Sequence, residues 1–177
     1  MNKEEIKEEF VVLVDAADND LGEMEKMEAH RKGVLHRAFS VFVFNDAGEL
    51  LLQQRAFEKY HSGGLWTNTC CSHPRKGETP LDAGKRRLQE EMGFTLDDLE
   101  PQFTFIYNRK LDNELTEHEL DHVIFGTYNA APAFNTDEVC AYKYVSMDFL
   151  TADMKSNPDQ YTEWFKICFD EVVNRLK

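Results

Sequence analysis

The stretch Trp66-Thr67-Asn68-Thr69-Cys70-Cys71-Ser72-His73-Pro74, followed by Gly77-Glu78 and the run Lys85-Arg86-Arg87-Leu88-Gln89-Glu90-Glu91-Met92-Gly93-Phe94, decides how this chain is read. Thr79 suits an N-cap, Pro80 the first helical position and Gly93 a stop signal, and Leu81, Leu88 and Met92 recur at near-heptad spacing. The interval is therefore a helix, and Arg87 and Glu91 stand one turn apart on a shared face. Just ahead of it, Cys71 lies two residues from His73. A thiol beside an imidazole either binds metal or makes and breaks bonds to a substrate. On an extended segment successive side chains face opposite sides, so only one of Cys70 and Cys71 can line a pocket.

Outward from this core the pattern is α+β in one domain spanning residues 1–177. Phe10 to Val14 reads as a strand, and the turn formers of Asp15 to Gly22 make a first hairpin. Ala38 to Phe44 and Leu50 to Gln54 flank Asn45-Asp46-Ala47-Gly48 and form a second. Phe103 to Tyr107, Asp121 to Tyr128 and Val139 to Val145 are further strands. Asn157-Pro158 starts a closing helix with an apolar stripe of Tyr161, Trp164, Phe165, Cys168 and Val172.

Composition bounds the function. The chain has 177 residues and 42% hydrophobic content, enough for one buried core. A net charge of −13 repels phosphate backbones and anionic membranes, so neither is an expected partner, and any anionic substrate must be drawn in by local cations. Four cysteines without scaffold spacing, and an N-terminal run too charged for a signal peptide, predict a reducing, cytoplasmic setting. No apolar run approaches a membrane span.

The helix and its approach resemble the Nudix signature, Gx5Ex7REUxEExGU with U a bulky aliphatic residue. Glu78, Arg86, Leu88, Glu90, Glu91 and Gly93 fall in register. Ser72 replaces the opening glycine, Phe94 takes the last aliphatic place, and Arg87 stands where the signature has its first helix glutamate. Nudix hydrolases use that carboxylate to hold Mg²⁺ on a diphosphate, so a guanidinium there removes a ligand and supplies a phosphate-binding fork. A degenerate Nudix helix together with W-T-N-x-x-C-x-H-P is similar to the type I isopentenyl-diphosphate isomerases. The likeness runs from Lys26 to Trp164 and includes Leu35 to Ser40, Gln54-Arg55-Ala56 with Lys59, and Glu117-His118-Glu119.

That resemblance implies a Nudix-like fold of mixed central sheets flanked by helices, and a role for each matched residue. His30, His36, His73, Glu117 and Glu119 would hold Mn²⁺, Mg²⁺ or Zn²⁺. Glu91 would hold a second ion, Mg²⁺, against the substrate diphosphate. Cys71, Glu119 and Tyr107 would move protons, Trp164 would face a carbocation, and Lys26, Arg55, Lys59 and Arg87 would grip the diphosphate of a C5 isoprenoid. The enzyme would act as a monomer or homodimer. From spacing alone the same residues read as surface histidines, a solvated acidic loop, core aromatics and ordinary surface cations. His118 and His122 have no counterpart role, and Cys140 and Cys168 sit at core-like positions. A Nudix diphosphate hydrolase and a metal-stabilised binding module are the alternatives. The first has no use for a thiol, and the second does not explain the cations together with Trp164.

Overall fold

The computed structural model describes residues 9–177, so the charged run Lys3 to Glu9 that argued against a signal peptide lies, except for Glu9, outside the described residues. Strand β1, Phe10–Val14, pairs antiparallel with β2, Asp20–Glu25, as the turn formers between them predict. The Asp15 carboxylate closes that turn by accepting the Ala17 and Asn19 N–H groups at 2.9 and 3.0 Å. The chain then enters a short helix absent from the sequence reading, α1, Lys26–Lys32. Its N-cap is a glutamate, Glu25, whose carboxylate accepts the Met27 and Glu28 N–H groups. Glutamate is not among the residues usually favoured there, which is why the start went unread.

The second hairpin needs correcting. Strands β3, His36–Phe44, and β4, Leu50–Arg55, pair with each other only at Phe44 and Leu50. Beyond the turn they part. Strand β3 runs parallel to β8, Thr116–Thr127, and antiparallel to β6, Cys70–Ser72. Strand β4 instead joins β9, Val139–Val145, and the short β5, Trp66–Thr67. The reason lies in β3 itself, which is buried almost throughout, as in a strand with both faces covered and both edges taken. Strand β7, Glu100–Lys110, pairs antiparallel with β8 and completes the mixed sheet.

Helix α2, Pro80–Met92, covers one face, packing Leu88 and Met92 against Phe39, Val41, Val43 and Leu51. The opposite face, with Phe42, Leu50 and Leu52, packs against α3, Met147–Ser156, and α4, Glu163–Arg175. Alternation along β3 and β4 thus feeds two cores, one under each helical layer. The closing helix also starts later than predicted. Asn157-Pro158 opens only one tight turn, and α4 begins after Thr162. Tyr161 is therefore off the helical stripe, buried at the junction beside Trp66, while Trp164, Phe165, Cys168 and Val172 keep its buried face.

Gly93 ends α2 at φ 76°, and a Cβ there would lie 2.1 Å from the Ala133 carbonyl oxygen. Gly93→Ala should therefore lose on the order of 2 kcal/mol or more of stability. A denaturant midpoint equal to that of the unaltered chain would show that the facing loop moves aside freely.

Candidate active site

Three elements deliver imidazoles to one place. Helix α1 carries His30, the start of β3 carries His36, and the residue after β6 carries His73. Strand β8 brings the carboxylates, because in its parallel register Glu119 lies opposite His36. His36 and His73 approach Glu119 Oε1 through Nε2 at 3.2 and 2.9 Å, and His30 Nε2 lies 3.9 Å from the same oxygen. Glu117 and Glu119 are 4% and 5% exposed, which excludes the solvated acidic loop. Alternation turns Glu117, Glu119 and Asp121 inward, whereas His118 reaches the Gly33 carbonyl and His122 pairs with Asp18.

The donor set fits a divalent cation. His30 Nδ1 is 2.6 Å from the Lys26 carbonyl and His36 Nδ1 2.8 Å from that of Val34, contacts that hold a proton on each Nδ1 and turn each Nε2 toward Glu119. Burial opposes a charged His36, but its hydrogen bond to Glu119 raises it, and a cation would take the place of that Nε2 proton. Among the described residues His30 Nε2 is buried with no hydrogen-bond partner. A buried polar atom without a partner is costly, and a metal ion would satisfy it. Burial holds His30 and His73 down at about 4, so both imidazoles are neutral at pH 7. Burial works against ionised Glu119, but hydrogen bonds with His36 and His73 keep its carboxyl well below the usual range.

Of the remaining predicted residues, all but Tyr107 line the same cleft, whose empty space, open to solvent, is about 530 Å³; Tyr107 stands behind its carboxylates. Tyr107 places its hydroxyl 2.7 Å from both Glu117 Oε2 and Glu119 Oε2. Burial and these two carboxylates push the phenol up, so it keeps the one proton it shares between them. Cys70 is fully buried in the core under α2, while Cys71 turns into the cleft. Burial pushes the Cys71 thiol up, with Arg55 opposing, so it too is protonated. Trp164 forms a wall, with the Arg55 guanidinium 5.3 Å from its ring centre. Cys140 is only half-buried and Cys168 is buried.

The four cations share this cleft with acids. Lys26 pairs with Glu9 and stands 4.6 Å from the Tyr60 ring centre, and Lys59 pairs with Glu138. Arg87 meets Glu91, Glu90 at 2.6 Å and Glu138 at 3.4 Å. Glu91 also accepts from Gln53 Nε2 at 2.9 Å. Arg55 and Arg87 nevertheless keep buried Nε atoms with no partner among the described residues. Those are cationic donors still available to an anion. Sequence reasoning missed Tyr60, His61, Asp121 and Glu138. Alternation from Glu119 could have found Asp121, and His61 stood visible between Arg55 and Trp66; Glu138 offered no signal.

The sheet, its two helical layers and helix α2 with its paired arginines and glutamates beside the cleft define a Nudix-fold protein. A profile of the NUDIX domain matches residues 34–165. A crystal structure from Deinococcus radiodurans superposes with a TM-score of 0.71 at 21% identity, covering 84% of this chain and 90% of that one. Closer in sequence is an isopentenyl-diphosphate Delta-isomerase of Pectobacterium atrosepticum, 56% identical over 162 residues, 92% of this chain and 90% of the relative. An isopentenyl-diphosphate Delta-isomerase 2 of Photorhabdus laumondii is 52% identical over 169 residues, covering 96% and 93%. This chain belongs to the isopentenyl-diphosphate Delta-isomerase family within the Nudix fold.

Proposed function

We infer that the chain interconverts isopentenyl and dimethylallyl diphosphate, moving a double bond by adding one proton and removing another. The observation that carries this reading is a single cleft in which Cys71, the Glu119–Tyr107 pair and Trp164 lie beside four cations. An unactivated alkene is a weak base, so its protonation generates a tertiary cation or something close to it. The Trp164 ring would stabilise that charge through its quadrupole, worth on the order of 2 kcal/mol in a desolvated site. Cys71 carries a proton and Glu119 does not, which supports one giving and the other taking, with roles reversed for the opposite isomer. Lys26, Arg55, Lys59 and Arg87 would hold the diphosphate.

His30, His36, His73, Glu117 and Glu119 would hold one divalent ion of Mn²⁺, Mg²⁺ or Zn²⁺ type. Its chemistry there is to polarise the Glu119 carboxyl and ease proton transfer. Glu91 would take Mg²⁺ only together with diphosphate oxygens, because Arg87 otherwise neutralises it. The hydrolase reading is weakened by that same Arg87, which occupies a ligand position, and by a thiol that a water-activating site does not need. Among the described residues no helix is long and apolar enough to cross a membrane, in keeping with a small water-borne substrate.

The test is NMR of isopentenyl diphosphate incubated with the protein in D₂O. The allylic isomer should appear with deuterium at the two exchanging carbons. Release of inorganic phosphate or pyrophosphate with no isomer would favour the hydrolase.

A further inference from the structure

We infer that His61 is a fourth imidazole donor to the ion at the His/Glu cluster, an inference that rests on the reading of that cluster as a metal site. His61 is 1% exposed, lines the cleft, and stands edge-on to Trp164 with ring centres 5.8 Å apart. Its Nε2 lies 2.9 Å from Glu117 Oε1, yet the atom has no hydrogen-bond partner among the described residues. The two are therefore neighbours whose geometry is wrong for bonding each other. Two donors converging on a third body produce this arrangement. With metal–ligand bonds of about 2.1 Å, adjacent corners of an octahedron lie roughly 3.0 Å apart.

A second observation points the same way. The donor atoms of His30, His61 and Glu117 lie within 4.8 Å of one another, as do those of His30, His36, His73 and Glu119. His30 belongs to both groups, and its Nε2 is the other imidazole nitrogen without a partner. One nitrogen lone pair serves one ion, so His30 cannot serve both groups at once; the two sides stand slightly too far apart for one shell without the ion, and the inferred ion closes them together. Tyr107 ties the sides together by contacting Glu117 and Glu119 at once. Four imidazoles and two carboxylates would make a six-coordinate site, a number suited to Mn²⁺, Mg²⁺ or Co²⁺ more than to structural Zn²⁺.

The loop that carries His61 is built to hold it. Arg55 Nη2 donates to the His61 carbonyl at 3.1 Å, Asp112 accepts the Ser62 N–H at 3.2 Å, and the His61 Nδ1 lies 3.1 Å from Ser62 Oγ. Ser62 adopts φ 53°, a left-handed conformation that a non-glycine residue keeps only when its surroundings impose it. The Ser62 hydroxyl is placed to accept from an Nδ1–H, the tautomer that leaves Nε2 as the ligating atom.

Cobalt-loaded protein decides the matter. An imidazole bound through Nε2 keeps its Nδ1–H, which gives a strongly shifted, exchangeable proton resonance. After dialysis the unaltered protein should hold one Co²⁺ per chain and show four such resonances. His61→Gln and His61→Ala should each show three, with affinity about 10- to 100-fold weaker. Both variants are made so that a folding failure in one leaves the other to report. Three resonances in the unaltered protein, with one ion bound, would place His61 outside the shell and leave the metal reading standing. No retained ion would overturn both, and two ions per chain would overturn the shared shell.

Discussion

Cys71→Ala should abolish isomerisation, while Cys70→Ala leaves a folded enzyme with most of its activity. The two thiols are adjacent in sequence and opposite in environment. Cys70 is fully buried among Val41, Leu88 and Met92, with Glu91 beside it, and trimming it costs on the order of 1 kcal/mol of stability while removing no group that lines the cleft. Cys71 faces the cleft and is one of two groups available to move a proton at the substrate carbons. General acid–base groups contribute roughly 10² to 10⁴-fold, and the loss of either partner in a two-proton exchange stops turnover rather than slowing one half of it. Binding of the diphosphate should survive, because its cations are untouched, so kcat falls while KM holds. Deuterium uptake from D₂O should disappear along with isomer formation. Equal activity in the two variants would show that the thiol takes no part.

Much of the fold was legible because strong local signals coincided with the observed elements. Thr79, Pro80 and Gly93 mark α2 to the residue, and the strand limits Phe10–Val14 and Val139–Val145 are those read from sequence. What was illegible depended on partners far away in the chain. Strand β3 and strand β4 look like a hairpin locally, and only the parallel register with β8 explains why they part. That same register is what carries Glu119 to His36 across 83 positions, a meeting no spacing rule foretells. The residues that converge on the cleft were singled out through the family resemblance and not through periodicity, and the roles given to them are those proposed above. His61 shows the limit of that route, since a residue without a counterpart role drops out however well it is placed. Asp121 shows the limit of spacing used too narrowly, for it continues the alternation of Glu117 and Glu119 into the cleft.

Arg87→Glu should weaken binding of the diphosphate by at least about 100-fold, the combined effect of losing a charge-assisted fork and gaining a repulsive charge. The sequence places Arg87 on a face open to the pocket, so that only binding would suffer. In the structure its side chain is 14% exposed and meets Glu90, Glu91 and Glu138. Reversing the charge crowds four carboxylates together, and removing one partner from a largely buried ion pair costs about 3 to 5 kcal/mol. The fold should therefore be less stable as well, and a thermal melt must accompany the kinetics. Arg87→Gln separates the two effects, since it removes the fork without adding repulsion, and its KM should still rise roughly 10- to 100-fold. Arg87→Glu also restores the carboxylate of the hydrolase signature. Even so, it should release no phosphate, because an additional ligand neither positions an attacking water nor supplies its base. Substrate affinity unchanged in Arg87→Gln, or phosphate release by the unaltered enzyme, would mean that Arg87 serves the helix and its acids rather than the diphosphate.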